Sequence, residues 1–218
     1  MKISVEALLL DMDGVLVAST ATVEASWTAW AREHDIDPAD VLAIAHGLPT
    51  RAVIGHFLPA GRVAAETDAF ERAETGWGHD IAVPGAEAVL AQRVLPVAVA
   101  TSATRALAER RLRNAGLPVP DVLVAADDVR RGKPDPEPYL LAARRLGAEP
   151  WRCAGVEDSR PGLAALAAAR VVPIALSTTH RRADLLVSRP VAVLADLTAL
   201  TLGERSVQWP DSGTLEGS

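Results

Sequence analysis

Short apolar runs that stop abruptly at polar residues punctuate this chain. Ala7-Leu8-Leu9-Leu10 ends at Asp11, and similar runs occupy Pro96–Ala100, Val122–Val124, Arg152–Val156 and Val171–Leu176. Runs of this length closed by Asp, Gly or Ser read as strands buried on both faces, the pattern of a parallel sheet. Between the later runs lie Ala-, Leu- and Arg-rich segments with apolar residues at helical spacing, notably Arg105–Ala115 and Tyr139–Leu146. Gly116 and Gly147 stand where the C-terminal caps of those helices belong. Strands alternating with helices predict an α/β fold built on a parallel sheet.

The stretch between the first two runs breaks that alternation. From Ser19 to about Ile81 the periodicity is helical and no strand is evident. Trp27 and Trp30, three apart, share one helix face. Asp37-Pro38 reads as an N-cap with proline at the first helical position, and Pro49-Thr50 marks a second helix start. Asp80-Ile81-Ala82-Val83-Pro84-Gly85 returns the chain to the core. The expected organisation is a core of residues 1–17 and 83–218 with a small helical domain, residues 18–82, inserted after the first strand. The tail beyond Gly203 is polar and turn-rich and is expected to be poorly ordered.

Composition narrows the possibilities. Of 218 residues, 49% are apolar, enough for one large domain or for a core domain with a smaller insert. The net charge of -6 and the absence of a basic stripe argue against nucleic acid as a partner. The densest arginine cluster, Arg105 to Arg113, alternates with apolar residues and reads as the solvated face of a helix. A single cysteine, Cys153, rules out an internal disulfide and suits a reducing cytoplasm. No signal-peptide pattern opens the sequence, and no apolar run approaches a membrane span, so neither export nor a membrane is expected. A monomer is the default expectation.

Candidate chemistry collects at the ends of the apolar runs, where open α/β sheets bind ligands. The first ends in Asp11-Met12-Asp13-Gly14. In extended backbone residues i and i+2 point the same way, so Asp11 and Asp13 can face one reacting atom. One carboxylate can attack phosphorus, and the other can pass a proton to the leaving oxygen. Gly14 permits a tight turn that offers backbone N–H groups to a phosphate oxygen. The second run ends in Thr101-Ser102, the third is followed by Gly132-Lys133-Pro134-Asp135-Pro136, and the fourth ends in Glu157-Asp158. Hydroxyls, a lysine and further carboxylates around one point suit a phosphate and a hard cation such as Mg²⁺. Each piece has a plainer reading: Thr101-Ser102 and Asp158-Ser159 as helix caps, Lys133 as a solvated lysine. A calcium loop fails, because an apolar strand precedes Asp11 and no third ligand precedes Gly14.

With all four in order, the sequence resembles the haloacid dehalogenase (HAD) superfamily of phosphohydrolases. Asp11-Met12-Asp13-Gly14-Val15-Leu16 is similar to its first motif, Thr101 to its second, Lys133 to its third and Glu157-Asp158 to its fourth. The resemblance implies a Rossmann-like parallel core under a helical cap, with Asp11 as nucleophile and Asp13 as acid and base. It implies Mg²⁺ held by Asp11, the Asp13 backbone carbonyl and Asp158, with Glu157 in support, and a phosphoryl group held by Thr101, Ser102 and Lys133. His46-Gly47, Thr50-Arg51, Ala100-Thr101-Ser102 and Gly132–Tyr139 resemble the sugar- and polyol-phosphate phosphatase branch. By that likeness Arg51 and His46 would reach from the cap to a small phosphorylated metabolite, although His46 also reads as a helix-end residue before Gly47. Trp27, Glu71, Glu74 and Trp77 either line that pocket or pack the cap, packing being favoured for the tryptophans. The rival activity is that of a β-phosphoglucomutase. Those mutases typically carry a histidine twelve residues after the nucleophile, where this chain has Val23.

Overall fold

The computed structural model describes residues 1–45, 48–74 and 80–210. A six-stranded, wholly parallel sheet forms its centre. In chain order the elements are strands β1 (Lys2–Ser4) and β2 (Ala7–Leu10), then helices α1 (Thr20–Glu33), α2 (Pro38–Ala45), α3 (Thr50–Phe57) and α4 (Ala60–Glu74). Next come α5 (Ala86–Ala91), β3 (Val97–Ala100), α6 (Arg105–Asn114), β4 (Leu123–Val124) and α7 (Glu137–Arg145). The chain continues with β5 (Cys153–Glu157), α8 (Arg160–Ala168), β6 (Val172–Leu176), α9 (Arg182–Leu186), β7 (Ala192–Leu194), β8 (Thr201–Gly203) and β9 (Ser206–Gln208).

The sheet runs β4-β3-β2-β5-β6-β7. The chain thus builds outward from β2 to β4, then returns to the other side of β2 and builds outward again. That reversal opens a crevice at the carboxyl ends of β2 and β5, the place where this topology binds ligands. Alternation along β2 feeds both faces. Leu8 and Leu10 pack with Val89, Leu107 and Leu112 on one side, and Ala7 and Leu9 pack with Tyr139, Leu163 and Leu166 on the other. At Gly116 and Gly147, φ values of +71° and +68° close α6 and α7 as the sequence suggests.

Helices α1 to α4 lie between β2 and β3 in the chain and bury an apolar centre of their own. Trp27 meets Trp30 edge-on at 5.5 Å and stacks on Phe70 at 4.0 Å, contacts worth about 0.5–1.5 kcal/mol each beyond the area they bury. The Asp37 carboxylate accepts from the Ala39 N–H at the start of α2. Two contacts among the described residues help tie this helical layer to the sheet domain. The Thr104 hydroxyl, at the start of α6, donates to Glu71 of α4 at 2.7 Å. The second is between Gly132 and Pro49, where a Cβ at Gly132 would come within 2.7 Å of the proline ring.

Two expectations are corrected. Residues just beyond Gly203 are ordered: β9 pairs antiparallel with both β1 and β8, and Trp209 is buried. These three-residue strands are too short and too polar to stand out by periodicity. Nor is the Arg105–Arg113 face simply solvated. Arg111 is buried together with Leu107, Ala108 and Leu112, the inner face of α6.

Candidate active site

The polar residues at the carboxyl ends of β2, β3 and β5 meet at the crevice. Asp11 follows β2 directly, its N–H bonded to the Val156 carbonyl of the neighbouring strand. After it the chain turns sharply. The Met12 carbonyl accepts from the N–H groups of Leu16 and Val17, and Gly14 adopts φ +74°. A side chain at Gly14 would meet the Asp158 carboxylate and Thr179, so glycine is required both by conformation and by space.

Lys133 is buried, its side chain 1% exposed, and it is not the solvated lysine of the plainer reading. Its ammonium lies 2.7 Å from Asp11 Oδ1 and 2.7 Å from Glu157 Oε1. Glu157 is saturated with donors. Its Oε1 also accepts from the Tyr139 hydroxyl at 2.8 Å, and its Oε2 accepts from the Ser159 hydroxyl and from the N–H groups of Asp158 and Ser159. Ser159 also caps α8 by accepting from the Gly162 N–H, so the capping reading of Asp158-Ser159 holds for the serine. Asp158 accepts from the Thr179 hydroxyl, while Thr178 donates to the Gly14 carbonyl.

One lysine cannot compensate three buried carboxylates. Burial, and then Glu157 beside it, pushes the Asp11 carboxyl from 3.8 up to about 8, against the opposing pull of Lys133. Burial, Glu157 and Asp11 hold Asp158 well above the usual carboxylate range. Glu157 goes the other way: burial works against its charge, but Lys133 and the hydrogen bonds around it hold it below its ordinary value. Asp11, Glu157 and Asp158 each offer an oxygen within 4.8 Å of the others. An all-oxygen, charge-deficient cluster fits a hard divalent cation.

Asp13 turns elsewhere. Its Oδ1 accepts from the Ser19 hydroxyl at 2.6 Å and from Arg111 Nη1 at 2.7 Å. Thr101 is buried, its hydroxyl accepting from the Ala103 N–H. Ser102 faces both spaces of the crevice. The inner cavity, about 80 Å³, has Asp11, Asp13 and Asp158 on its floor and Val23, Trp27 and Phe70 opposite. The outer cleft, about 850 Å³, lies between the helical layer and the sheet domain and is lined by Arg51, Glu71, Thr101, Thr104 and Arg130 among others.

Of the residues expected from the sequence, Asp11, Asp13, Gly14, Thr101, Ser102, Lys133, Glu157 and Asp158 come together here, and Arg51 stands on the outer cleft, its residue exposed. His46 and Trp77, with the Glu74 side chain, lie outside the described residues. Trp27 does both things asked of it: it packs the helical layer and walls the inner cavity. Ser19, Tyr139, Arg111 and Thr179 were not legible as site residues, although Ser177-Thr178-Thr179 follows β6 as Thr101-Ser102 follows β3. No helix among the described residues is long and apolar enough to cross a membrane.

Comparison with known proteins agrees with this geometry. The family model described as haloacid dehalogenase-like hydrolase matches residues 5–170. Hexitol phosphatase A of Escherichia coli is 41% identical over 72% of this chain and 76% of its own. Validoxylamine A 7'-phosphate phosphatase of Streptomyces hygroscopicus subsp. limoneus is 33% identical over 94% of this chain and 97% of its own. Among solved structures, a putative beta-phosphoglucomutase from Bacteroides vulgatus superposes with a TM-score of 0.74 at 27% identity, covering 89% of this chain and 85% of that one. The chain belongs to the haloacid dehalogenase-like hydrolases.

Proposed function

We propose that this hydrolase is a Mg²⁺-dependent phosphatase that cleaves a small sugar or polyol phosphate through an aspartyl-phosphate on Asp11. The observation that carries the reading is Asp11 itself. It is a carboxylate at the switch point of the sheet, on the floor of an inner cavity, with one oxygen held by a buried lysine. That contact fixes the side chain and leaves Oδ2 as the nucleophile. As Asp11 bonds to phosphorus and the ester P–O bond breaks, Asp13 gives its proton to the departing alcohol oxygen. Asp13 then takes a proton from the water that attacks phosphorus and returns the Asp11 carboxylate. The Thr101 and Ser102 hydroxyls and the N–H groups of the Gly14 turn hold the phosphoryl oxygens, and Lys133 offsets their charge.

Asp11, the Asp13 carbonyl and Asp158 would hold the cation, with Glu157 fixing Lys133 and the backbone beside it. When bound, the metal neutralises charge on the transferring phosphoryl group. Residues 18–82 act as the cap, and Arg51, with His46, contacts the substrate from it. The sugar and polyol phosphates named by the relatives set the substrate class. The test is phosphate release from a phosphomonoester panel with Mg²⁺. Wild type is expected to turn over sugar or polyol phosphates, and Asp11→Asn to release none; full activity in that variant would sink the mechanism.

Similarity to the Bacteroides vulgatus structure gives the mutase reading its support. Val23, however, lines the inner cavity where those mutases place a histidine. Incubation with β-glucose 1-phosphate and a bisphosphate primer separates the two, because a mutase yields glucose 6-phosphate without free phosphate.

A further inference from the structure

Arg111 is the one arginine of α6 whose side chain turns into the crevice with Asp13. It lies on the inner face of the helix, one turn beyond Leu107, and its side chain is only 8% exposed. A leucine or methionine would fill that face without the cost of desolvating a guanidinium, which is considerable unless the charge is met at close range. Arg111 meets it at Asp13 Oδ1, 2.7 Å away, and the Ser19 hydroxyl reaches that same oxygen at 2.6 Å. Ser19 precedes α1, whereas Arg111 comes from α6, so two elements converge on one carboxylate oxygen. Neither donor goes to Oδ2. A carboxylate gripped twice through Oδ1 has its rotation fixed and its other oxygen reserved.

We propose that Arg111 is a positioning residue for the reaction: with Ser19 it clamps Asp13 through Oδ1, so that Oδ2 is the oxygen that exchanges the proton with the leaving group. This rests on the phosphatase reading above. In the first half-reaction the Asp11–phosphorus bond forms, the ester P–O bond breaks, and the proton on Asp13 Oδ2 passes to the alkoxide oxygen, which departs as neutral alcohol. In the second, Oδ2 takes a proton from the attacking water as the phosphorus–Asp11 bond breaks. Arg111 touches neither substrate nor phosphorus in this scheme; it acts only through Asp13.

A leaving-group comparison tests the clamp. A hexitol phosphate must have its alkoxide protonated, whereas 2,4-dinitrophenyl phosphate releases a stable phenolate that needs no proton. Proton transfer by a positioned side chain is typically worth about 100-fold or more. Both esters share the later hydrolysis of the aspartyl-phosphate, so the comparison is made in single-turnover rates of its formation, which Arg111→Met should lower by about 100-fold for the hexitol phosphate and by less than about 10-fold for the dinitrophenyl ester. Ser19→Ala should repeat the pattern more weakly, and Arg111→Lys should recover part of the loss on the alkyl ester. Ser19→Ala and Arg111→Lys keep the test decisive if Arg111→Met fails to fold. Equal losses on both esters would overturn the proposal in favour of a purely structural role. A raised KM with unchanged kcat would overturn it in favour of direct substrate binding. Wild-type protein inactive on both esters would instead overturn the phosphatase reading, and the clamp with it.

Discussion

Replacing Asp11 should make the metal-free protein more stable, and the gain should depend on pH in a defined way. Asp11 has a carboxyl pushed from 3.8 up to about 8, first by burial and then by Glu157. Between those two pH values the folded state keeps the Asp11 proton and the unfolded chain has lost it. The unfolded state then binds fewer protons, so stability falls as pH rises across that window. What Asp11 contributes is fully present below pH 3.8 and lost by about pH 8. At 1.36 kcal/mol per pH unit, the four-unit window amounts to about 6 kcal/mol. Asp11→Asn keeps the shape and removes the titration. The neighbouring rise in Asp158, partly caused by Asp11, relaxes as well and adds in the same direction. Urea unfolding followed by tryptophan fluorescence, in EDTA from pH 4 to 8, reads the difference directly. The variant should gain on wild type by roughly 1.4 kcal/mol per pH unit. At a urea dependence of about 3 kcal/mol/M that accumulates to a midpoint gap of about 2 M. Added Mg²⁺ should stabilise wild type more than the variant, because only wild type offers the cation a full carboxylate at position 11. A gap that stays constant with pH, or wild type gaining on the variant toward pH 8, would show that Asp11 does not keep its proton in the folded state.

Other consequences follow from single contacts. Gly14→Ala forces a side chain at φ +74° into the Asp158 carboxylate and Thr179, so phosphate release should fall below detection and the melting temperature should drop by several degrees, as an enzyme assay and a calorimetric scan would show. Tyr139→Phe removes one donor at 2.8 Å from the buried Glu157 carboxylate while keeping the ring, and should cost about 1.5–3 kcal/mol in urea unfolding at pH 7. Because Glu157 is held below its ordinary value of 4.5, that loss should shrink as the pH falls below that value and acid protonates the folded carboxylate. Trp27→Ala removes a buried ring stacked on Phe70 and should cost about 3–5 kcal/mol in the helical layer; unchanged thermal stability and KM in this variant would contradict its double role.

The strands that carry the chemistry were legible because each is an uninterrupted apolar run ending in a charged or hydroxyl residue. Asp11, Thr101 and Glu157 stand at such endings, and the parallel sheet follows from their repetition. Strands β1, β8 and β9 were not legible: each has three residues and a small sheet of its own to complete, so no periodicity can build up. Arg111 was hidden by its neighbours. Eight arginines from Arg105 to Arg145 suggest a solvated surface, and only the spacing of Leu107, Ala108, Arg111 and Leu112 sets this one on the inner face. Tyr139 and Ser159 act on Glu157 from a helix and a helix cap, positions whose residue types carry no sign of the carboxylate they serve. The contacts of Ser19 and Thr179 depend on how the chain turns after β2 and β6, which local sequence does not specify.

The proposed mechanism requires a covalent bond between Asp11 and phosphorus. Wild-type protein turning over a hexitol phosphate with Mg²⁺ can be quenched in acid, reduced with borohydride and digested, which converts any aspartyl-phosphate to homoserine that peptide mass spectrometry locates. Homoserine at position 11, absent without substrate and absent in Asp11→Asn, is the predicted result. Steady phosphate release with no modification at position 11, or with the modification at Asp13 or Asp158, would contradict it.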